Sequence, residues 1–181
     1  MKSNTYQDVL DFWFREIDSD LWFKQDDQLD KEISQRFGET FKQAKACELV
    51  GWRDTIHGRL AEVILLDQFS RNMFRGKPDA FRQDSLALAL AQEALRFGKI
   101  NKLSTEERAF LYMPFMHSES LPIHEKAMAL FQEDGMEDYL KYEKKHRDII
   151  KQFGRYPYRN DVLGRESTED EREFLAEFEG F

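Results

Sequence analysis

Apolar residues recur along this chain at helical spacing. Leu29, Ile33, Phe37, Phe41, Ala44 and Cys47 follow at intervals of four, four, four, three and three. That is the stripe of an amphipathic helix, with Cys47 as a small core residue at its end. Leu60, Val63, Ile64, Leu65 and Leu66 are denser and predict a central helix. A third helix is expected from about Asp79 to Phe97, with Phe81, Leu86, Leu90, Ala94 and Phe97 on one side and Gly98 closing it. Tyr139, Tyr142, Ile149, Ile150 and Phe153 mark another, closed by Gly154.

Two helix starts are signed by capping boxes. Ser104 precedes Glu107 and Thr168 precedes Glu171 by three residues, so each hydroxyl takes an orphan N–H and each glutamate reaches back. Short alternating β-branched runs are missing, so no strand is expected. The prediction is an all-α chain of about eight helices joined by short loops. Phe12-Trp13-Phe14 and Trp22-Phe23 read as core. Arg71-Asn72 and Arg159-Asn160, each followed by three residues and then a glycine, form a weak internal echo that stacked helical hairpins or chance would both explain.

Length and composition narrow the class. At 181 residues, 41% of them hydrophobic, the chain is sized for one domain over residues 1–181 with a substantial core. A net charge of −8 argues against nucleic acid as a partner, since phosphate neutralisation needs a basic excess. A single cysteine allows neither an internal disulfide framework nor a multi-cysteine zinc site. Met1 to Phe14 lack a basic start and an apolar run, and no stretch approaches a membrane span of roughly 20 apolar residues, so a cytoplasmic protein without membrane attachment is expected.

Polar chemistry concentrates at the ends of apolar segments. Arg155, Arg159, Asn160 and Arg165 lie in a stretch stiffened by Gly154, Pro157 and Gly164. Guanidinium forks suit carboxylate or phosphate, so one reading is an anion pocket. The other is that these groups satisfy helix C-terminal carbonyls. Asp67, Arg71 and Asn72 end the most apolar helix, where polar groups must leave the core or be paired inside it. His117 and Glu119 could do acid–base work, with His146 joining through the fold. His117 and His124 are seven residues apart, about 10 Å along a helix axis, too far to share a metal, so no metal site is expected. Glycine-rich phosphate loops, a Gly-x-Ser-x-Gly elbow and a cysteine–histidine pairing are missing.

These residues carry a resemblance. Gly58-Arg59-Leu60-Ala61, Asp67-Gln68-Phe69, Arg71-Asn72, Phe74-Arg75-Gly76, Tyr112-Met113-Pro114, His117-Ser118-Glu119, Phe153-Gly154-Arg155, Arg159-Asn160 and Leu163-Gly164-Arg165 occur in the order found in the bacterial family called domain of unknown function 924. The chain resembles that family over nearly its whole length. The resemblance implies a tetratricopeptide-repeat-like helical fold and no established activity or cofactor. Ser70 stands where relatives usually carry proline, Tyr158 where many have histidine and His124 where glutamine is typical. The last two departures weaken any mechanism built on positions 124 or 158.

Three functions follow as expectations. The first is binding of a small anionic or carboxylate-bearing ligand by Arg155, Arg159 and Asn160, with Asp67, Arg71, Asn72 and Arg165 in or near the same pocket. The second is a hydrolase using His117 or His146 with Glu119 and an arginine. The third is a peptide-binding scaffold with a long groove. The first requires the polar pieces to converge, and the second requires a histidine–Glu119 contact. The cofactor and oligomeric state are not legible.

Overall fold

The computed structural model describes residues 4–181; the first three residues of the N-terminal stretch read above for a leader lie outside the described residues. Helix α1 (Tyr6–Asp11) starts at Thr5, whose hydroxyl forms a capping box with Asp8, and runs on into a π turn over Phe12–Glu16. Helix α2 (Asp27–Lys45) buries Leu29, Ile33, Phe37, Phe41 and Ala44, the predicted stripe. Cys47 does not belong to it. The helix ends at Lys45, and Cys47 takes a left-handed φ of 59° with its thiol exposed. The terminating turn reverses the chain before the stripe reaches its last member.

Helix α3 (Ile56–Ile64) is the centre of the molecule. Ile56, Gly58 and every residue from Leu60 to Ile64 are buried, and α1, α5 (Asp84–Phe97) and α6 (Thr105–Met116) pack on it. A π turn over Leu65–Phe69 joins it to the short α4 (Ser70–Met73), against which α2 lies. The one buried acid on α3, Glu62, is satisfied by Arg53, whose Nε and Nη2 each donate at 2.7 Å. The helix expected from Asp79 begins at Asp84, after a 3-10 turn at Pro78–Ala80. Its buried line is Ala87, Ala91 and Ala94, while Leu86 and Leu90 are half-buried flanks. Small residues sit at the closest approach of α5 to α3, and the leucines pack at its edges.

Both predicted capping boxes are present, at Ser104 for α6 and Thr168 for α9 (Glu169–Glu177). Helices α7 (Leu121–Leu130) and α8 (Glu137–Phe153) pack on each other, and α6 packs on both. Gly98 and Gly154, both at positive φ, cap α5 and α8. No strand occurs among the described residues. With α3 and α4 forming one interrupted rod, the described residues make an all-α domain of eight helices.

The core has two parts. The larger runs from Val9 to Met136 and includes Phe12 and Trp13, with Phe69 and Phe110 edge-on to the Trp13 ring. Phe23 departs from the expectation of a core aromatic, being 61% exposed. The smaller gathers Ile149, Ile150 and Tyr156 with Phe153, Tyr158, Phe174 and Phe178. The polar residues singled out above lie where these two apolar bodies meet.

Candidate functional site

A cavity of about 500 Å³ opens at that junction. Met113 and Met116 from α6 and Phe81 supply apolar walls, and Tyr139, Tyr142 and His146 face it from α8. Gln68, Arg71, Asn72 and Arg75 enter from the π turn, α4 and the turn that follows it, His117 from the end of α6, and Tyr158 and Arg159 from a 3-10 turn at Pro157–Arg159. A second cavity of about 430 Å³ lies beside it and shares Phe81, His117 and Arg159 as a common wall. Three exposed large apolar side chains, Phe23, Tyr142 and Phe181, line the first cavity.

The polar wall is one connected network. His117 Nδ1 lies 2.7 Å from Asp67 Oδ1, and Gln68 Nε2 donates to Asp67 Oδ2 at 2.7 Å. Arg71 Nη1 donates to the Asp67 carbonyl at 2.9 Å and sits 3.2 Å from its carboxylate. Arg71 also forms a two-pronged pair with Asp84, at 2.9 and 3.1 Å. Arg159 Nη1 donates to the same Asp84 at 3.1 Å, and its Nη2 donates to the His117 carbonyl at 3.0 Å. The two Arg-Asn steps of the internal echo thus meet on one carboxylate. Phe81 and Tyr156 each present a ring face 4.6 Å from the Arg159 guanidinium. Asn72 and Arg75 both donate to Asp30, which ties this wall to α2.

Burial and charge set the protonation states. Burial alone would raise Asp67, but His117, Arg71 and the hydrogen bonds from His117 and Gln68 hold it at about 2. Burial and then the Arg71 cation push His117 below its ordinary value, so the imidazole is neutral near pH 7. An ionised Asp67 accepts the Nδ1–H of that ring, which leaves Nε2 as the lone-pair nitrogen. No partner among the described residues reaches that Nε2. Burial lowers His146 to about 3, and its Nδ1–H donates to the Tyr142 carbonyl at 2.8 Å.

The other expected residues form a different structure. Arg155 clamps Glu171 through Nε and Nη2 at 2.6 and 2.7 Å. Asn160 Nδ2 donates to Ser167 and Glu171, and Arg165 Nε donates to Asn160 Oδ1. Arg165 also holds Glu119 in a two-pronged pair at 2.8 and 3.0 Å, and Glu119 accepts the Tyr156 N–H. This clamp fastens the segment after α8 to the α6–α7 connection and to α9. The structure therefore brings Arg71, Asn72, His117, His146 and Arg159 to one cavity, buries Asp67 behind His117, places Glu119 on the neighbouring cavity and sets Arg155, Asn160 and Arg165 apart from both. The histidine–Glu119 contact expected of the hydrolase reading does not form. His117 takes Asp67 instead. His124 is fully buried and pairs with Glu143 at 2.7 Å. No group of three or more histidine, cysteine, aspartate or glutamate side chains is arranged to hold a metal among the described residues.

Sequence reasoning missed Asp84, the acceptor shared by Arg71 and Arg159. In the helix expected from Asp79 it reads as one more polar residue of the exposed face, whereas it is the first residue of α5. It also missed Gln68 as the second partner of Asp67 and the rim formed by Phe23, Tyr142 and Phe181.

The comparisons agree with this architecture. A family model described as a bacterial protein of unknown function, DUF924, matches residues 9–179. The chain belongs to this family. It is similar to a solved structure, a protein of unknown function, ATU0120, from Agrobacterium tumefaciens, with 39% sequence identity and a TM-score of 0.91. The match covers 96% of this chain and 97% of that one. A search of curated proteins finds no match. Among the described residues no helix is long and apolar enough to cross a membrane.

The depressed carboxylates give a pH prediction. Asp67 and Glu171 are both held at about 2, Glu171 first by the Arg155 hydrogen bonds, against ordinary values of 3.8 and 4.5. A carboxylate lowered by folding stabilises fully above its unfolded value, and that contribution is lost as pH falls through the folded one. The urea midpoint, followed by circular dichroism, should begin to fall below about pH 6.5, where the unfolded chain protonates the histidines that folding keeps neutral at 117 and 146, and should fall more steeply from about pH 4.5 towards pH 2. Glu171→Gln should lower the midpoint at neutral pH and flatten the acid limb.

Proposed function

We propose that this family member binds a small ligand that joins a carboxylate, or another compact anion, to an apolar and preferably aromatic body. The supporting observation is the convergence of Arg71, Asn72, His117, His146 and Arg159, spread over 89 residues of sequence, on one cavity whose apolar walls are aromatic and methionine side chains, with Lys24, Gln68, Arg75 and Asp138 completing the lining. Ligand sites are mostly apolar concavities with a few convergent polar groups, and methionine adapts to irregular apolar shapes. The anion adds to arginines that already share Asp84, so each guanidinium keeps one anchor while offering its remaining N–H groups. A peptide ending in an aromatic residue carries the same two chemical groups and is the larger variant of this ligand class.

Phenylacetate, benzoate, N-acetylphenylalanine, acetate and phenethylamine form a sufficient panel. The acids with rings should raise the melting temperature. At 100 times the dissociation constant the gain is about 2.7 kcal/mol, or roughly 5–10 °C for a domain of this size. The ε-methyl NMR signals of Met113 and Met116 should move on titration while those of the other methionines stay in place. A response to phenethylamine equal to that of phenylacetate would overturn the anionic requirement. Silent Met113 and Met116 methyls throughout the panel would overturn the site.

A further inference from the structure

Of the histidines, His117 alone is built like a base. His124 has both ring nitrogens engaged, by Glu143 and by the Ser118 carbonyl, and is fully buried. Like His117, His146 leaves Nε2 without a partner among the described residues, but its Nδ1–H is fixed by the Tyr142 carbonyl rather than by a carboxylate, and the Phe181 ring covers it with centroids 3.8 Å apart. His57 lies on another face, 4.0 Å from Glu107. His117 has one nitrogen fixed by a carboxylate and the other facing no protein group, and it stands in the wall between two cavities.

The carboxylate is also placed unusually. Asp67 is the middle residue of the π turn Leu65–Phe69, a local widening of the helix that is rare and recurs at functional sites. It is wholly buried behind His117, out of a ligand's reach, and its oxygens are taken by His117, Gln68 and Arg71. A buried charged network of this kind is not a cheap way to stabilise a fold, since apolar residues of the same volume do as well or better. What it does supply is a fixed tautomer and a fixed ring orientation, the service a carboxylate gives a catalytic histidine.

We propose that His117 Nε2 is a general base for hydrolysis of a small ester whose acyl part fits the apolar cavity, with Asp67 as its positioning residue. This rests on the ligand reading above, because the product acid is the ligand class assigned there. No serine, threonine or cysteine lines the larger cavity, so the nucleophile is water. A water oxygen forms a bond to the ester carbonyl carbon while Nε2 takes one of its protons, and the carbonyl π pair moves to oxygen. The N–H groups of Arg71 and Arg159 on the same wall stabilise the charge that develops there. Collapse breaks the carbon–oxygen bond to the alcohol, which leaves with the proton held on Nε2. The acid formed releases its remaining proton to solvent.

The charged and titratable groups that face His117 set the pH profile. They are Asp67 and Arg71 from the α3–α4 rod, Asp84 from α5, His146 from α8 and Arg159 from the 3-10 turn. Burial and Arg71 together outweigh the carboxylates, so the rising limb of the rate lies below the ordinary histidine value of 6.5.

The test follows 4-nitrophenolate release from 4-nitrophenyl phenylacetate by the full chain. Release above the buffer rate is expected, flat above pH 7, and His117→Gln should lower it at least 100-fold. Asp67→Asn should lower it 10-fold or more and move the rising limb to lower pH. In that variant ring-¹⁵N NMR should show the fixed Nδ1–H tautomer giving way to a mixture. Should Asp67→Asn fail to fold, diethyl pyrocarbonate on the unmodified protein serves instead. It should carbethoxylate His117 in step with loss of rate and spare His124. Phenylacetate binding to the unmodified protein is read separately on the Met113 and Met116 methyls. Binding without hydrolysis in the unmodified protein, or equal rates with and without His117, would overturn the base while leaving the ligand site standing. Neither binding nor hydrolysis would overturn both.

Discussion

Gly58→Ala should destabilise the protein by about 3 kcal/mol or more, lowering the melting temperature by roughly 6–12 °C. Helix propensity alone predicts the opposite sign, since alanine is favoured over glycine inside a helix by about 1 kcal/mol. Sterics decide it. A Cβ on Gly58 would stand 1.9 Å from the Trp52 carbonyl oxygen and 2.7 Å from its carbon. Both are backbone atoms of the 3-10 turn Val50–Asp54, which folds back over the first turn of α3. That turn cannot withdraw freely. The Trp52 ring packs edge-on to Tyr6, and Thr55 caps α3 by accepting the Gly58 N–H at 2.9 Å. Gly38→Ala in α2 is the matched control, because a Cβ there meets nothing within 4 Å. It should stabilise by up to about 1 kcal/mol. Urea midpoints that fall equally for both would refute the close approach.

Much of the helical frame is legible because amphipathic period and capping chemistry are local. The α2 stripe from Leu29 to Ala44, the boxes at Ser104 and Thr168 and the closing glycines at 98 and 154 each need only a few neighbouring residues. The misses have physical causes beyond that window. Cys47 keeps the period of the stripe, yet the helix ends before it, and periodicity carries no information about where a chain reverses. On α5 the leucines promised the buried face, but close approach to α3 favours the smaller Ala87, Ala91 and Ala94. The π turn at Leu65–Phe69 leaves no mark in a segment that is buried all round, since there is no solvent-exposed face whose drift could show the extra residue.

The site was legible as residue types and illegible as pairings. Arg71, His117 and Arg159 stood out because arginine and histidine beside apolar helix ends need partners. Which partner each takes depends on packing between distant segments. Asp67 meets His117 across 50 residues, and Asp84 meets Arg159 across 75. Arg155, Asn160 and Arg165 carry the same donors as Arg71, Asn72 and Arg159 of the cavity, but Glu171 and Glu119 reach them first and turn them into a clamp. Composition cannot separate a donor that is free to bind from one already engaged.

Asp84→Ala should act on stability and on affinity with opposite signs. The carboxylate accepts two hydrogen bonds from Arg71 and one from Arg159. Without it Arg71 keeps Asp67, but Arg159 loses its carboxylate partner and is left with the His117 carbonyl, the Tyr158 hydroxyl and two ring faces. Removing one partner of a buried pair commonly costs 3–5 kcal/mol, because the other charge stays behind without compensation. The Asp84 side chain is 17% exposed, so some water reaches the pair and about 2–4 kcal/mol is expected here. The exposed pair of Glu16 with Arg36 sets the scale at the surface, where Glu16→Gln should cost less than about 1 kcal/mol. Adding Arg159→Met to Asp84→Ala should recover part of the loss, since the orphaned cation is then gone. The same orphaned cation should attract an external anion more strongly. Asp84→Ala should therefore bind phenylacetate more tightly than the unmodified protein, and phenylacetate should raise its melting temperature by the larger increment. Such rescue would mark Asp84 as an internal stand-in for the ligand carboxylate. A destabilised variant that phenylacetate leaves unchanged would make the Arg71–Asp84–Arg159 network purely structural, and the search for a ligand would move to the Asp30 side of the cavity, where Asn72 and Arg75 meet.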